Sequence, residues 1–134
     1  MNNFKLLSVG LLGLLLSGCG GGFSFVYSNI PNGLCVIRNE PGIVVRFVDA
    51  RTRQSLVVQA SGFVTDGGYQ ESLRSVQYSV SGGYAQELQA AYNRPGIYDV
   101  QVIVSSNSQL YTFANIQVFS QPCNIQPTLI EIPI

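Results

Sequence analysis

Arg94-Pro95-Gly96 and the run of residues 97–104 behind it constrain the fold more than any other part of this chain. Proline fixes φ and lacks a backbone donor, and glycine admits conformations closed to other residues, so whatever precedes them stops there. The residues that follow alternate, with Tyr98, Val100, Val102 and Val104 on one side and Asp99, Gln101 and Ile103 on the other. Period-two alternation of this length describes a strand half buried in a sheet, because a helix would scatter the same side chains around its circumference. Tyr98 is therefore expected in the core.

Similar runs recur between turn signals. Residues 42–49 predict a strand with Ile43, Val45 and Phe47 on one face, and residues 56–65 a second. Asp66-Gly67-Gly68 reads as a hairpin turn, since glycine tolerates positive φ. Residues 69–80 continue the β pattern until Ser81-Gly82-Gly83 breaks it, and residues 110–119 and 128–132 supply the last strands. Residues 84–93 fit two patterns. Tyr84, Leu88, Ala91 and Tyr92 make a helical face, whereas Gln86, Leu88, Ala90 and Tyr92 share one side of a strand. Strand neighbours on both sides favour the second pattern. About seven strands without a repeating period predict an all-β, two-sheet sandwich, with a closed barrel as the alternative.

The first 18 residues read as a targeting segment instead of fold. Lys5 carries the charge, residues 6–16 are apolar, and Ser17-Gly18 are small. The apolar run is about half of the ~20 residues a membrane-spanning helix needs. Leu16-Ser17-Gly18-Cys19 resembles the lipobox of bacterial lipoproteins, and that resemblance implies cleavage before Cys19 and lipid on its thiol. Each buried methylene adds about 0.8 kcal/mol, so several acyl chains would hold a domain at a membrane. Gly20 stands where known sorting signals for inner-membrane retention carry aspartate, which implies the outer membrane of a diderm cell. The expected organisation is a signal over 1–18, a glycine-rich tether over 19–33, and the domain over 34–134. The alternating residues 23–27 offer a further strand within the tether.

The three cysteines would leave an odd thiol in an exported protein. With Cys19 consumed by lipid, Cys35 and Cys123 remain as an even pair where disulfides persist. A metal site or a reactive thiol is the competing reading. The absence of any histidine and of a CxxC spacing argues against metal.

Removing the signal removes the only lysine and leaves six arginines against seven acids. The arginines are scattered, so no basic stripe points to nucleic acid. Without histidine there is no Ser-His-Asp or Cys-His arrangement. Acid–base work would fall to carboxylates such as Asp49, Asp66 and Asp99, which are better read as turn residues bonding nearby amides. No loop has phosphate-binding spacing, and no acidic cluster suggests calcium. No cofactor or metal is expected. Tyr69, Tyr78, Tyr84, Tyr92 and Tyr111 could form a contact patch, although half-buried strand tyrosines are the commoner case.

Val44, Arg46, Val48, Asp49-Ala50-Arg51-Thr52, then Thr65-Asp66-Gly67-Gly68-Tyr69, the run Arg94-Pro95-Gly96-Ile97-Tyr98-Asp99-Val100-Gln101-Val102, and Cys123 carry a wider resemblance. The stretch from Gly42 onward resembles bacterial lipoproteins related to carboxypeptidase regulatory-like domains, which have a transthyretin-like (Ig-like) β-sandwich. The chain departs from that pattern at Arg53, at Ser105-Ser106-Asn107-Ser108, and at Asn124, where the family often has histidine. These departures remove any histidine-based site. The resemblance implies a fold more than an activity. The expected function is a non-enzymatic, lipid-anchored envelope module with a protein or polysaccharide partner. The alternatives are a transthyretin-like oligomer holding a small apolar ligand, or a carboxylate-based hydrolase.

Overall fold

The computed structural model describes residues 38–134, and within them the chain is all-β. The expected signal, the tether with its possible strand at 23–27, Cys19 and Cys35 lie outside the described residues. Ten strands form two sheets. The first holds β1 (Ile43–Val48), β2 (Ser55–Leu56), β5 (Arg74–Val80), β6 (Gly83–Ala90) and β10 (Thr128–Pro133). Its order is β10-β1-β6-β5, with β2 against β1. The second holds β3 (Ala60–Asp66), β4 (Tyr69–Ser72), β7 (Gly96–Val104), β8 (Gln109–Ser120) and β9 (Ile125–Gln126), in the order β4-β3-β7-β8-β9. The β1–β10 pair is parallel and every other pair is antiparallel. The architecture is thus a sandwich-like pair of sheets and not the closed barrel.

Alternation explains which side chains meet between the sheets. Ile43, Val45 and Phe47 of β1, Leu88 and Ala90 of β6, and Ile130 and Ile132 of β10 form the inner face of the first sheet. Val64 of β3, Tyr98, Val100, Val102 and Val104 of β7, and Val118 of β8 answer from the second. The strand reading of residues 84–93 holds as far as Ala90, because Leu88 and Ala90 join this core while Glu87 projects to the opposite face, but residues 91–93 leave the strand, with Ala91 and Asn93 at positive φ.

The count of about seven strands is too low, and the reason is physical. The predicted strand 56–65 is two strands, because the chain leaves the first sheet after Leu56 and enters the second at Ala60. The predicted run 69–80 likewise crosses back between β4 and β5, at Leu73. A crossing needs partners for the backbone groups it frees. Gln86, buried on β6, accepts the Val58 N–H at 2.7 Å and donates to Ser75 Oγ at 2.9 Å. The Leu73 N–H finds the Gly62 carbonyl at 2.9 Å. Only glycine fits at 62, since a Cβ there would stand 2.0 Å from the Gln101 carbonyl oxygen.

Candidate functional site

The chemistry-bearing side chains divide between the two ends of β6. Its Ala90 end meets the Asp66-Gly67-Gly68-Tyr69 hairpin and the turn 91–95 that leads into β7. Tyr98, fully buried, donates its hydroxyl to the Arg94 carbonyl at 2.9 Å. This is the tyrosine-corner arrangement of Greek-key sandwiches, a ring in the core tying down the turn a few residues upstream. Burial raises the phenol's pKa above the ordinary value against the opposing charge of Arg94, with smaller help from the carboxylates Asp66 and Glu71.

Arg94 extends from this turn over the Tyr69 ring, 3.9 Å from its centroid, with Asp66 at 3.5 Å. Tyr69 donates to Glu71 Oε2 at 2.7 Å, and the same oxygen accepts the Ala91 N–H at 2.8 Å. Ala91 is fully buried with φ of 57°, a left-handed conformation an alanine adopts only at a cost. Glu71 holds it there. Gly96 leaves room for Asp66, whose Oδ2 would lie 2.6 Å from a Cβ at that position. Asp66, Glu71, Tyr69 and Tyr98 therefore all direct their polar atoms to one another and to the turn.

Midway along β6 the outer face carries a second network. Glu87 accepts from Arg46 Nε at 2.8 Å and from the Tyr78 hydroxyl at 3.1 Å, and its other oxygen accepts from Gln89 at 2.7 Å. Burial opposes the carboxylate charge, but the donated hydrogen bonds outweigh it and hold Glu87 below the ordinary carboxyl range. Tyr78 responds in the opposite sense, its phenol pushed up by burial and by the bond to Glu87.

The Gly83 end is built differently. Ser81 and Gly82 turn β5 into β6, and the pairing of Val80 with Gly83 places Tyr78 opposite Ala85 and Ser79 opposite Tyr84. Gly82 and Gly83 have φ of 93° and 150°, with nothing within 4 Å of a Cβ at either position. Backbone conformation, not space, demands glycine there. Between this hairpin and β2 lies a groove of about 460 Å³, lined by Tyr78, Tyr84, Gln54, Ser55, Ser81 and Gly82 among others. Tyr84 is two-thirds exposed (66%). Among the described residues no Asp, Glu, Lys or Arg lines the groove. Its lining residues offer the exposed Tyr84 ring, one edge of Tyr78, an amide, serine hydroxyls and open backbone.

The three aspartates do not come together. Asp49 accepts the Arg51 and Thr52 N–H groups, both at 2.8 Å, in the turn after β1, and these bonds lower its pKa. Asp66 faces Arg94 at the opposite end of the sandwich. Asp99 accepts the Asn115 N–H at 3.0 Å, where β8 bulges against β7. Among the described residues no group of three metal-ligating side chains occurs. Cys123 is partly buried beside Pro122 and Asn124, and its expected partner Cys35 lies outside the described residues.

Of the five tyrosines weighed as a patch, only Tyr78 and Tyr84 share a site. Tyr69 sits under Arg94, Tyr92 sits under Arg74 at 5.5 Å and donates to Gln89, and Tyr111 packs against the core. The hairpin signal Ser81-Gly82-Gly83 contained the clue, since a two-residue turn there brings Tyr78 and Tyr84 to successive rungs, with their side chains on opposite faces of the hairpin. Gln54 and Ser55 had no such signal, because the pairing of β2 with β1 brings them in. Compared with protein-family models, with curated proteins and with solved structures, the chain matches none at a significant score.

Proposed function

We propose that this chain is a lipid-anchored, non-enzymatic binding module of the bacterial cell envelope, and that the groove between the Tyr84 hairpin and β2 receives a neutral polysaccharide. The groove carries this reading. It combines exposed aromatic surface with amide and hydroxyl groups and lacks charge, while the acids near β6 are bound to Arg46, Arg94, tyrosines and backbone amides. A sugar presents the complementary surface, C–H patches for the Tyr84 ring and hydroxyls for Gln54 and the serines. The resemblance to carboxypeptidase regulatory-like domains is compatible with an accessory role of this kind. Titrating the full chain in detergent with neutral envelope polysaccharides should give saturable binding that Tyr84→Ala weakens about fivefold to tenfold. Binding indifferent to Tyr84→Ala, or binding only of a protein partner, would overturn the saccharide assignment.

The two covalent features proposed from the sequence have separate tests. With lipid on Cys19, Cys19→Ser abolishes acyl labelling and membrane retention, and the native protein fractionates with the outer membrane. A Cys19→Ser protein that still labels and pellets with membranes refutes the anchor, and an inner-membrane location refutes the sorting. Cys35 and Cys123 form one bridge whose removal costs about 2–5 kcal/mol. Mass spectrometry showing both thiols free in protein from an oxidising compartment would exclude it.

A further inference from the structure

The edges of the two sheets differ in what they leave uncovered. An edge strand offers unpaired N–H and C=O groups, and natural sheets guard such edges with charges, proline, bulges or short length. The β10 edge has Glu131 and Pro133, and its inward residues Ile130 and Ile132 are already buried. β4 is four residues long and carries Glu71. β5 begins with Arg74 and turns Ser75, Gln77 and Ser79 inward, and its exposed apolar residues, Tyr78 and Val80, belong to the groove described above.

β8 lacks most of these guards. Its twelve residues, QLYTFANIQVFS, contain no Asp, Glu, Lys, Arg or Pro. Among the described residues only β9 pairs with its outer edge, at Phe119 and Ser120. A bulge interrupts it at Asn115, where φ is 58°, and Thr128 Oγ1 donates to the Gln117 carbonyl at 2.5 Å just beyond. Among the described residues the stretch before the bulge has no such cover. There Tyr111 and Phe113 turn inward against the core yet stay partly exposed, while Leu110 on the outer face is 52% exposed. Their open side is the side on which another strand would lie.

We infer that residues 110–114 of β8 pair antiparallel with the same residues of a second copy, with Thr112 on the two-fold axis. Antiparallel pairing about that residue sets Tyr111 opposite Phe113 of the other copy on the inner side and Leu110 opposite Ala114 on the outer side. The partner is a second copy because an uncharged strand meets itself without like charges opposed, as β4 and β10, with Glu71 and Glu131, do less readily. The bulge at Asn115 ends the pairing and keeps it short, so the contact is weak in dilute solution. Lipid-tethered copies on one membrane would meet at higher local concentration. The inference is independent of the saccharide groove, which lies on the other sheet.

The full chain in detergent should show a concentration-dependent monomer–dimer equilibrium by sedimentation. Thr112→Lys, which opposes two like charges at the axis, should weaken it at least about fivefold. Thr112→Cys should give a disulfide-linked dimer in the membranes of expressing cells, whereas Gln77→Cys on β5 should not. Thr112 is exposed, so both variants at that position should keep the wild-type circular dichroism. A chain monomeric at all concentrations, a dimer indifferent to Thr112→Lys, or a Thr112→Cys protein that links no better than the Gln77→Cys protein would each overturn the assignment.

Discussion

The two ends of β6 use the same residue types for opposite purposes. At Ala90, tyrosine, arginine and carboxylate close on one another until the turn 91–95 is held by Tyr98, Glu71 and the Arg94–Tyr69 stack. At Gly83, the Tyr84 ring stands in the open beside uncharged polar groups. The difference is one of partners. A ring whose hydroxyl and face are both taken stabilises the fold, and a ring left two-thirds exposed is free to recognise something else. The clearest turn and strand signal of the sequence, Arg94-Pro95-Gly96 and Tyr98, belongs to the closed end. That signal therefore bears on folding and leaves the open end to be read from its own chemistry.

The largest effect should come from breaking the closed end at its centre. Tyr98→Ala removes a fully buried ring and its bond to the Arg94 carbonyl, and should cost about 3–5 kcal/mol. Tyr98→Phe keeps the ring and should cost about 1 kcal/mol. Denaturant titration separates the two. Equal losses for both variants would mean that the hydroxyl, and not the packing, organises the corner.

How far the sequence carried the fold follows from where each signal originates. The strand of Tyr98, Val100, Val102 and Val104 was plain because its alternation is local and its turn is written in Pro95 and Gly96. The sheet crossings near Val58 and Leu73 were not, since a strand that changes sheets keeps β-favouring residues and no break in composition marks the corner. Glu87 shows the same limit for a site. Its three donors, Arg46, Tyr78 and Gln89, come from β1, β5 and β6, and only the register of the sheet makes them neighbours. Gln89 alone was within local reach.

Glu87 lies between the two ends and sharpens the comparison through pH. Its folded pKa is lowered, so its contribution to stability is present above the unfolded value, about 4.3, and is lost as pH falls through the lower folded one. Glu87→Gln should flatten the acid limb of the stability curve and cost about 1–2 kcal/mol near neutrality, a figure reduced because Arg46 remains a third exposed. An unchanged acid limb would show that Arg46 and its neighbours do not favour the carboxylate. The same change replaces the charged acceptor of the Tyr78 hydroxyl by a neutral amide oxygen, so any loss of ligand affinity would show that the network orients the groove from beneath.

The smallest effect on stability is expected at the open end. Tyr84 adds little to the core, being 66% exposed, and it sits at the first rungs of a hairpin whose turn is set by Gly82 and Gly83. Tyr84→Ala should therefore change unfolding free energy by no more than about 0.5 kcal/mol, as substitutions away from buried features do. Tyr69→Ala at the closed end exposes Arg94 and removes a donor to Glu71, and should cost several times as much. The two variants remove the same side chain, so thermal denaturation of both isolates what the surroundings contribute. Were Tyr84→Ala the more damaging, its ring would be part of the fold, and the groove would lose its claim to be a surface kept open for a ligand.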